Sequence, residues 1–288
     1  MESNIYISSL AFLGKPVEEI IEICKNNNYN LEFSSGMPFN KSMTEIYLST
    51  SIRRQPHNYF PDSEIPFVLN LASENSEIRN KSIDHCIKGL KLAKQSNSPF
   101  YAAHAGFCID PNPNELGQKI VIRNKFKKES NKKHFVNSIL DILEIAKELD
   151  IDFLIENNVL APFNYDGKNN PLLCCDFKDI FWLFNTIKHE KFGLLLDTAH
   201  LKVSCKTLTL DLLEEFKNIS PFIKAFHHSD NDGTIDNNLK LTNKYWFLDY
   251  LKDFQDYVHV LEIKSLSILD IEKQIKLIQK NGATRFNN

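Results

Sequence analysis

Short apolar runs alternate along the chain with longer stretches in which apolar residues return every three or four positions. The first pattern is that of a buried strand, the second that of an amphipathic helix. "NIYISSL", "YNLEFSS", "PFYAAHAG", "IDFLIEN", "FGLLLDT", "PFIKAFHH" and "YVHVLEIK" read as strands, and one more short strand fits just before His57. "PVEEIIEICKNNN", "SEIRNKSIDHCIKGLKLAKQ", "FVNSILDILEIAKELD", "CDFKDIFWLFNTIKHE", "LTLDLLEEFKNI", "NKYWFLDYLKD" and "SILDIEKQIKLIQKNG" read as helices, the last ending at Gly282. In the second of these, Ile78, Ile83, Ile87, Leu90 and Ala93 are expected to share one face.

Strand–helix alternation predicts a parallel sheet with helices outside it. About eight such units in 288 residues predict an α/β fold closed into a (β/α)8 TIM barrel. The barrel is expected to fill residues 1–288 as one domain, with its active site at the C-terminal ends of the strands. The competing architecture is an open doubly wound sheet, but no GxGxxG turn follows the first strand. The segment from Phe107 to Asn131, rich in Pro, Asn and Lys, reads as an elaborated loop of the kind that covers active sites.

Composition narrows the picture a little. A content of 42% hydrophobic and 25% charged residues is ordinary for a globular protein. The formal charge of −3 speaks weakly against a nucleic-acid surface while leaving room for a local basic patch. "MESNIYISSLAFLG" lacks the basic start and apolar core of a signal peptide, and no apolar stretch reaches the roughly 20 residues of a membrane helix. The six cysteines show no CxxC spacing and read as free thiols, so a cytoplasmic location is expected.

Four consecutive late strands end in a metal-ligand residue type: Glu156 in "FLIENN", Asp197 in "LLLDTAH", His227 in "KAFHHSD" and Glu262 in "VLEIKS". In a barrel these ends form a ring, and inward side chains there converge. With Glu262 inward, Val260 and Val258 are inward too, and with Asp197 inward so are Leu195 and Gly193. On the seventh strand, His227 inward puts Ala225 and Ile223 inside and Lys224 outside, whereas His228 inward would bury the Lys224 ammonium. His227 is therefore the expected ligand, and His228 either lines the pocket or packs outward.

Three carboxylates around one point repel unless a cation joins them, and this O/N donor set suits Zn²⁺, Mn²⁺, Co²⁺ or Mg²⁺. Taken singly, each acid also reads as a helix cap or a surface charge, Asp197 in "GLLLDTAH" above all. His57 in "RRQPHNYF" and His104 in "YAAHAGF" are either structural histidines or, with Glu156, the holders of a second ion. Glu32, at the end of "NLEF", either reaches the pocket or bonds the backbone. His85, His134 and His189 lie on helix patterns as surface or packing residues.

At these residues the sequence resembles the xylose-isomerase-like TIM-barrel superfamily. That group joins sugar and sugar-phosphate isomerases and epimerases with abasic-site nucleases of the endonuclease IV type. The resemblance runs over nearly the whole chain, through "PHNYFPDSEIPFVLNLAS", "YAAHAG", "FLIENN", "LLLDTAHL", "FHHSDNDG" and "VLEIK". It implies that Glu156, Asp197, His227 and Glu262 are the shared metal ligands, and that His57 and His104 match the pair holding a second zinc in the nucleases. For His200 it implies a substrate contact in an isomerase or a third zinc in a nuclease. The nuclease pattern also needs Asp-x-His after the seventh strand, and "IDNN" departs from it by offering Asp236 and then Asn238.

The function expected from these residues is a metal-dependent isomerase or epimerase of a small sugar or sugar phosphate, using one or two divalent ions. The ion would chelate a carbonyl and a neighbouring hydroxyl and stabilise the enediolate, with Glu156 and Glu262 as the acid–base pair. A related lyase or dehydratase would use the same enolate logic. His200 and His104 would bond sugar oxygens, and Lys264 either meets an anionic group or is simply solvated. The alternative is an endonuclease IV-like phosphodiesterase acting on abasic DNA. Arg53, Arg54 and the "RNKFKKESNKKH" run would then track the backbone, although such runs are usually solvated helix faces. A third reading is a non-catalytic carbohydrate-binding barrel. Membrane partners are not expected, nucleic acid is disfavoured, and oligomerisation is left open.

Overall fold

The apolar runs become short strands, most of their residues buried. In the computed structural model, which describes residues 4–34, 36–123 and 125–282, these are β1 (Ile5–Ser8), β2 (Asn30–Phe33), β3 (Arg54–Pro56), β4 (Phe100–His104), β5 (Asp152–Glu156), β6 (Phe192–Asp197), β7 (Ile223–His228) and β8 (Val258–Leu261). They form one parallel sheet in the order β3-β2-β1-β8-β7-β6-β5-β4. The circle closes where His57, just past β3, pairs in parallel with Ala102, and the Asn58 amide donates to the Ala102 carbonyl at 2.8 Å. This is a (β/α)8 barrel, as the alternation predicts. The ends of the expected 1–288 span, residues 1–3 and 283–288, lie outside the described residues.

Around the barrel run α1 (Val17–Asn27), α2 (Met43–Ser49), α3 (Ser76–Gln95), α4 (Lys128–Leu149), α5 (Phe177–Thr186), α6 (Thr198–Leu208), α7 (Leu212–Ile219) and α8 (Ile268–Lys280). Side-chain oxygens of Asn75, Asp176, Asp211 and Ser267 accept first-turn amides and so fix four of the starts. Alternation along the strands splits the core in two. Phe100, Ala102, Leu154, Leu195 and Ala225 fill the barrel, with Val258 against them. A larger cluster lies mainly between strands and helices. Among the described residues no helix is long and apolar enough to cross a membrane, and all six cysteines are buried and unpaired.

Several elements differ from expectation, each for a local reason. The segments that form α2 and α6 carry no helix expectation, and α4 starts at Lys128, within the segment read as loop. "NKYWFLDYLKD" is a 3-10 helix over Leu248–Asp253 rather than an α-helix. Its amides bond three residues back, as from Leu248 to Tyr245 and from Tyr250 to Phe247, while Phe247 and Leu251 are fully buried. The buried face of α3 is built on Ser82, His85, Cys86, Gly89, Leu90 and Ala93, with Ile78, Ile83 and Ile87 half-buried. Small Gly89 lets the helix ride on the Tyr101 ring, and His85 finds a carbonyl partner beneath it, at Asn58.

Parity on β7 also needs correction. The β6–β7 register slips between Leu194 and Leu195, so that Leu194 faces Ile223 while Leu195 faces Ala225. The extra residue, Lys224, is not simply outside. Its stem lies over Gly193 beside Leu154, and its Nζ reaches Asp152 Oδ2 at 2.7 Å and the Glu190 carbonyl at 2.8 Å. Ile223 joins the outer core instead. An ammonium is tolerated at this mouth of the barrel because it is paired, and because Gly193 leaves room for it.

A methyl group on Gly89 would fall 2.2 Å from Tyr101 Cε2, on a rigid, fully buried ring. Gly89→Ala is expected to destabilise the fold by about 1–3 kcal/mol despite its better helix propensity. The urea midpoint checks this, and an unchanged or raised midpoint would show that α3 is free to shift outward.

Candidate metal centre

The ring at the strand ends forms as a geometric fact. Glu156 ends β5, Asp197 ends β6, His227 lies in β7, and Glu262 follows β8, its amide donating to the His228 carbonyl at 3.0 Å. One ligand atom from each of these four lies within 4.8 Å of the others. His57 and His104 bring their Nε2 atoms to 3.1 and 3.0 Å from Glu156 Oε2 and form a second such group with it. Glu156 therefore stands between two sets of donors, and all of these residues are buried except half-buried His104 and Glu262.

His227 Nδ1 and Glu262 Oε2 form a hydrogen bond, but other close contacts of the cluster leave oxygens without an aligned donor. Neither Glu156 oxygen has an aligned donor, nor does Asp197 Oδ2, although all are buried. His227 Nδ1 lies 3.6 Å from Glu156 Oε1 and 3.1 Å from Glu262 Oε2. Two ligands about 2.0–2.1 Å from one tetrahedral ion sit roughly 3.4 Å apart. Orphaned lone pairs at that spacing fit a divalent cation, and the donor set of carboxylate oxygens and imidazole nitrogens suits one.

Charges in the cluster are strongly interdependent. Burial opposes ionisation of Glu156, but His104, His227 and His57 outweigh it and hold the carboxyl well below the usual range. Asp197 goes the other way. Burial, with repulsion from Asp236, Glu262 and Glu156, exceeds the pull of His200 and raises it well above the usual range. Burial disfavours a charged His227, yet Glu32, Glu262 and Glu156 raise it well above an ordinary histidine. His200 is likewise raised against its burial, by Asp197, Asp236 and Glu156.

Asp197 resolves its two readings by using one oxygen for each. Oδ1 accepts the amides of Ala199 and His200 at 2.7 Å, capping α6, while unpartnered Oδ2 remains for the cluster. The Asn157 side chain continues the β5–β6 ladder past the strand ends by bonding both the amide (2.8 Å) and the carbonyl (3.1 Å) of Asp197. Asn158 does the same for the neighbouring loops through the carbonyls of Ala105, Gly106 and Leu173. The Asn58 carbonyl, beside His57, accepts from Tyr101 Oη at 2.5 Å and from His85 Nε2 at 2.9 Å. His85 is a packing residue, pushed down to about 4 by burial and hence neutral.

Glu32 reaches the site, though its sequence context left that open. Its Oε2 accepts from Gln55 Nε2 at 2.8 Å and lies 3.1 Å from His227 Nε2. Burial raises the Glu32 carboxyl, but His227 and His57 overcome this and lower it. A charged Glu32 fixes a proton on His227 Nε2 and turns Nδ1 toward Glu156 and Glu262, as carboxylates behind metal-binding histidines do. Glu32, His57 and His227 also form a third donor group, but Glu32 Oε2 is already committed to Gln55 and His227.

His228 packs outward, stacked on His259 and Phe226. Burial keeps both of these histidines neutral, His259 pushed down to about 4 and His228 well below its usual value. The Phe254 carbonyl can only accept, so His259 Nε2 donates to it at 3.0 Å. His228 Nε2 then donates to His259 Nδ1 and Tyr245 Oη to His228 Nδ1, both at 2.8 Å. Tyr245 in turn meets Thr198 Oγ1, which contacts the His227 carbonyl at 3.0 Å. This chain ties β7 to the start of α6 behind the ligands.

His200 donates Nδ1–H to the Asn157 carbonyl at 2.8 Å, leaving Nε2 at 3.2 Å from Asp236 Oδ2. His104, His200 and Asp236 form the polar edge of a cavity of about 590 Å³ whose other walls include Tyr59, Phe107 and Phe163. Glu156, Asp197, His227 and Glu262 lie behind this edge rather than on the cavity surface. The loop after β4 supplies one wall through Phe107, Leu116 and Ile120. Lys264 is exposed, and its amide donates to the Asn238 carbonyl; the geometry does not place it on the cavity wall.

Comparison with known proteins agrees with this architecture. The family described as "Xylose isomerase-like TIM barrel" matches residues 15–282. A probable endonuclease 4 of Aquifex aeolicus is 28% identical over 138 residues, 47% of this chain and 40% of that protein, so less than half of that relative is matched. A solved D-tagatose 3-epimerase-like protein superposes with a TM-score of 0.73 at 17% identity, covering 96% of each chain. The IOLI protein, solved with a bound zinc atom, superposes with a TM-score of 0.62 at 13% identity, covering 96% of this chain and 95% of that one. At these identities the structural likeness speaks for the fold alone.

Two outcomes follow from the geometry. Glu32→Gln removes the charge behind His227 and is expected to weaken divalent-metal affinity about 10–100-fold in a chelator competition. Equal affinity would show that Glu32 does not orient the ligand. Because His227 is held well above an ordinary histidine by Glu32, Glu262 and Glu156, an entering cation must displace its proton. Affinity should therefore fall as pH falls, with proton release measured by calorimetry in buffers of different ionisation enthalpy.

Proposed function

The chain belongs to the xylose isomerase-like TIM barrel family, and from that premise we propose that it is a metal-dependent isomerase or epimerase of a small sugar or sugar derivative. The observation that carries this reading is the disposition of Glu156 and Glu262. Both carboxylates approach His227 Nδ1, yet they occupy different environments, Glu156 fully buried and Glu262 with a side chain 13% exposed. Two carboxyls around one reacting carbon can divide the work, one taking a proton and the other returning one. A bound divalent cation of the zinc, manganese, cobalt or magnesium group would polarise the carbonyl and stabilise the charge that develops when carbon loses its proton. Glu156, Asp197, His227 and Glu262 would hold it. His104, and His200 through its Nε2, would bond substrate oxygens at the cavity edge. The epimerase-like fold and the zinc in a structural neighbour support this reading.

A second reading has its own observation. His57, His104 and Glu156 form a separate donor group, so the centre has the ligands for two ions, which suits hydrolysis of a phosphodiester. The match to an endonuclease 4 supports it, and Asn238 in place of a third imidazole weakens it.

The test is deuterium wash-in at carbon. The metal-loaded protein is incubated with free and phosphorylated sugars in deuterated water. Exchange is expected in at least one sugar, and Glu262→Gln should lower it on the order of 10²–10⁴-fold while leaving the melting temperature nearly unchanged. Full exchange in that variant would remove Glu262 from the acid–base pair. Cleavage of an abasic duplex with no exchange in any sugar would put the phosphodiesterase first.

A further inference from the structure

The cavity beside the centre constrains what the substrate carries away from its reacting end. Its volume of about 590 Å³ lies mid-range among sites for drug-sized ligands and exceeds what a lone monosaccharide fills. His104, His200 and Asp236 form one polar edge, and Asp62, Ser63 and Glu64 add a second polar group to the lining. Much of the remaining surface is apolar, with Tyr59, Phe67, Phe107, Phe163 and Leu172. At the mouth Phe39, Phe163 and Ile235 are 45%, 39% and 38% exposed, so apolar surface continues to the solvent.

Apart from His104 and His200 at the polar edge, the charged side chains of the lining are all acidic. No lysine or arginine lines the cavity among the described residues, whereas Asp62, Glu64 and Asp236 do. Burial pushes the Asp62 carboxyl up to about 6, as expected where no cation faces it. Three cations of the segment that follows β4 and of α4 are engaged elsewhere. Arg123 pairs with Glu115, and Lys128 and Lys132 pair with Asp179. A phosphate in this space would meet carboxylates without a partner, and specificity arises as much from such repulsion as from attraction.

We infer that the substrate is an uncharged hydroxy-carbonyl sugar whose end away from the carbonyl carries an apolar group, such as an aryl or alkyl ether seated against Tyr59, Phe107 and Phe163, rather than a phosphate. This rests on the isomerase or epimerase reading for its reacting end and adds the chemistry of the tail.

Matched ligands separate the possibilities. D-Glucose, D-galactose, D-mannose and D-xylose are compared as their terminal methyl ethers, terminal 4-nitrophenyl ethers and terminal phosphates (position 6 in the hexoses, position 5 in xylose), each with a free anomeric carbon, by calorimetric titration of the metal-loaded protein. In at least one series the nitrophenyl form should bind at least about tenfold tighter than the methyl form, from burial of the ring, and the phosphate no tighter. Phe163→Lys, at an exposed position, should abolish the aryl gain. The inference is overturned by a phosphate that binds tighter than its methyl partner, by no aryl gain, by a gain that survives Phe163→Lys, or by no binding in any series. Deuterium exchange in simple sugars without an aryl gain removes the inference and leaves the isomerase reading standing. An aryl gain with no exchange in any sugar does the reverse.

Discussion

Burial of the Glu156 carboxylate is the constraint on which the top of the barrel depends. A fully buried carboxylate with no aligned donor costs several kcal/mol unless charge surrounds it. Four imidazoles surround it: Nε2 of His57 and His104 against one oxygen, and Nδ1 of the raised His200 and His227 at 3.6 Å from the other. Those histidines come from β3, β4, the start of α6 and β7, so the charge is met only when the barrel is closed. Closure is itself thin where it matters, since β3 and β4 meet mainly through His57 and Asn58. The residue that completes the sheet is thus also a ligand candidate, and folding and site assembly are coupled.

Asparagines make this coupling workable. Strand ladders end just where ligands must point inward, which would leave backbone groups unpaired. Asn58, Asn157 and Asn158 fill those gaps with short amide side chains that copy the peptide's donor and acceptor. The "ENN" sequence is therefore one functional unit, Glu156 reaching inward while its two neighbours rebuild the ladder around it. Outward, the neutral chain from Phe254 through His259, His228 and Tyr245 to Thr198 holds β7 in the same way.

The barrel was legible in the sequence because alternation of apolar runs with helical spacing reports it directly. The converging ring was legible because its members recur at strand ends. What escaped was set by partners distant in sequence. Nothing near Glu32 announces His227, some two hundred residues on; only the β1 to β8 closure brings them together. Parity failed at Lys224 because a bulge is invisible to a period-two rule, yet His227 still points inward because the slip lies below it. Capping and metal ligation were opposed for Asp197 only while a carboxylate was treated as a single donor, and its two oxygens remove the conflict. The helix after Asp197 was masked by the apolar run before it, and α2 by its brevity.

The centre carries donors for more than one chemistry, so what separates the readings lies at its edge. His200 has spent Nδ1 on the Asn157 carbonyl, and only Nε2 is left to face outward, opposite Asp236. Asp236 keeps a second oxygen without a partner. A third cation there would need another nitrogen or carboxylate lone pair, and the nearby residue in sequence is Asn238, whose amide is a weak ligand but a good hydrogen-bonding group. An imidazole and a carboxylate on one edge suit hydroxyl groups, each of which can donate to Asp236 and accept from His200. Water-activating ions can occupy the inner donors in either case. The edge, rather than the inner donors, is where the two proposed readings part.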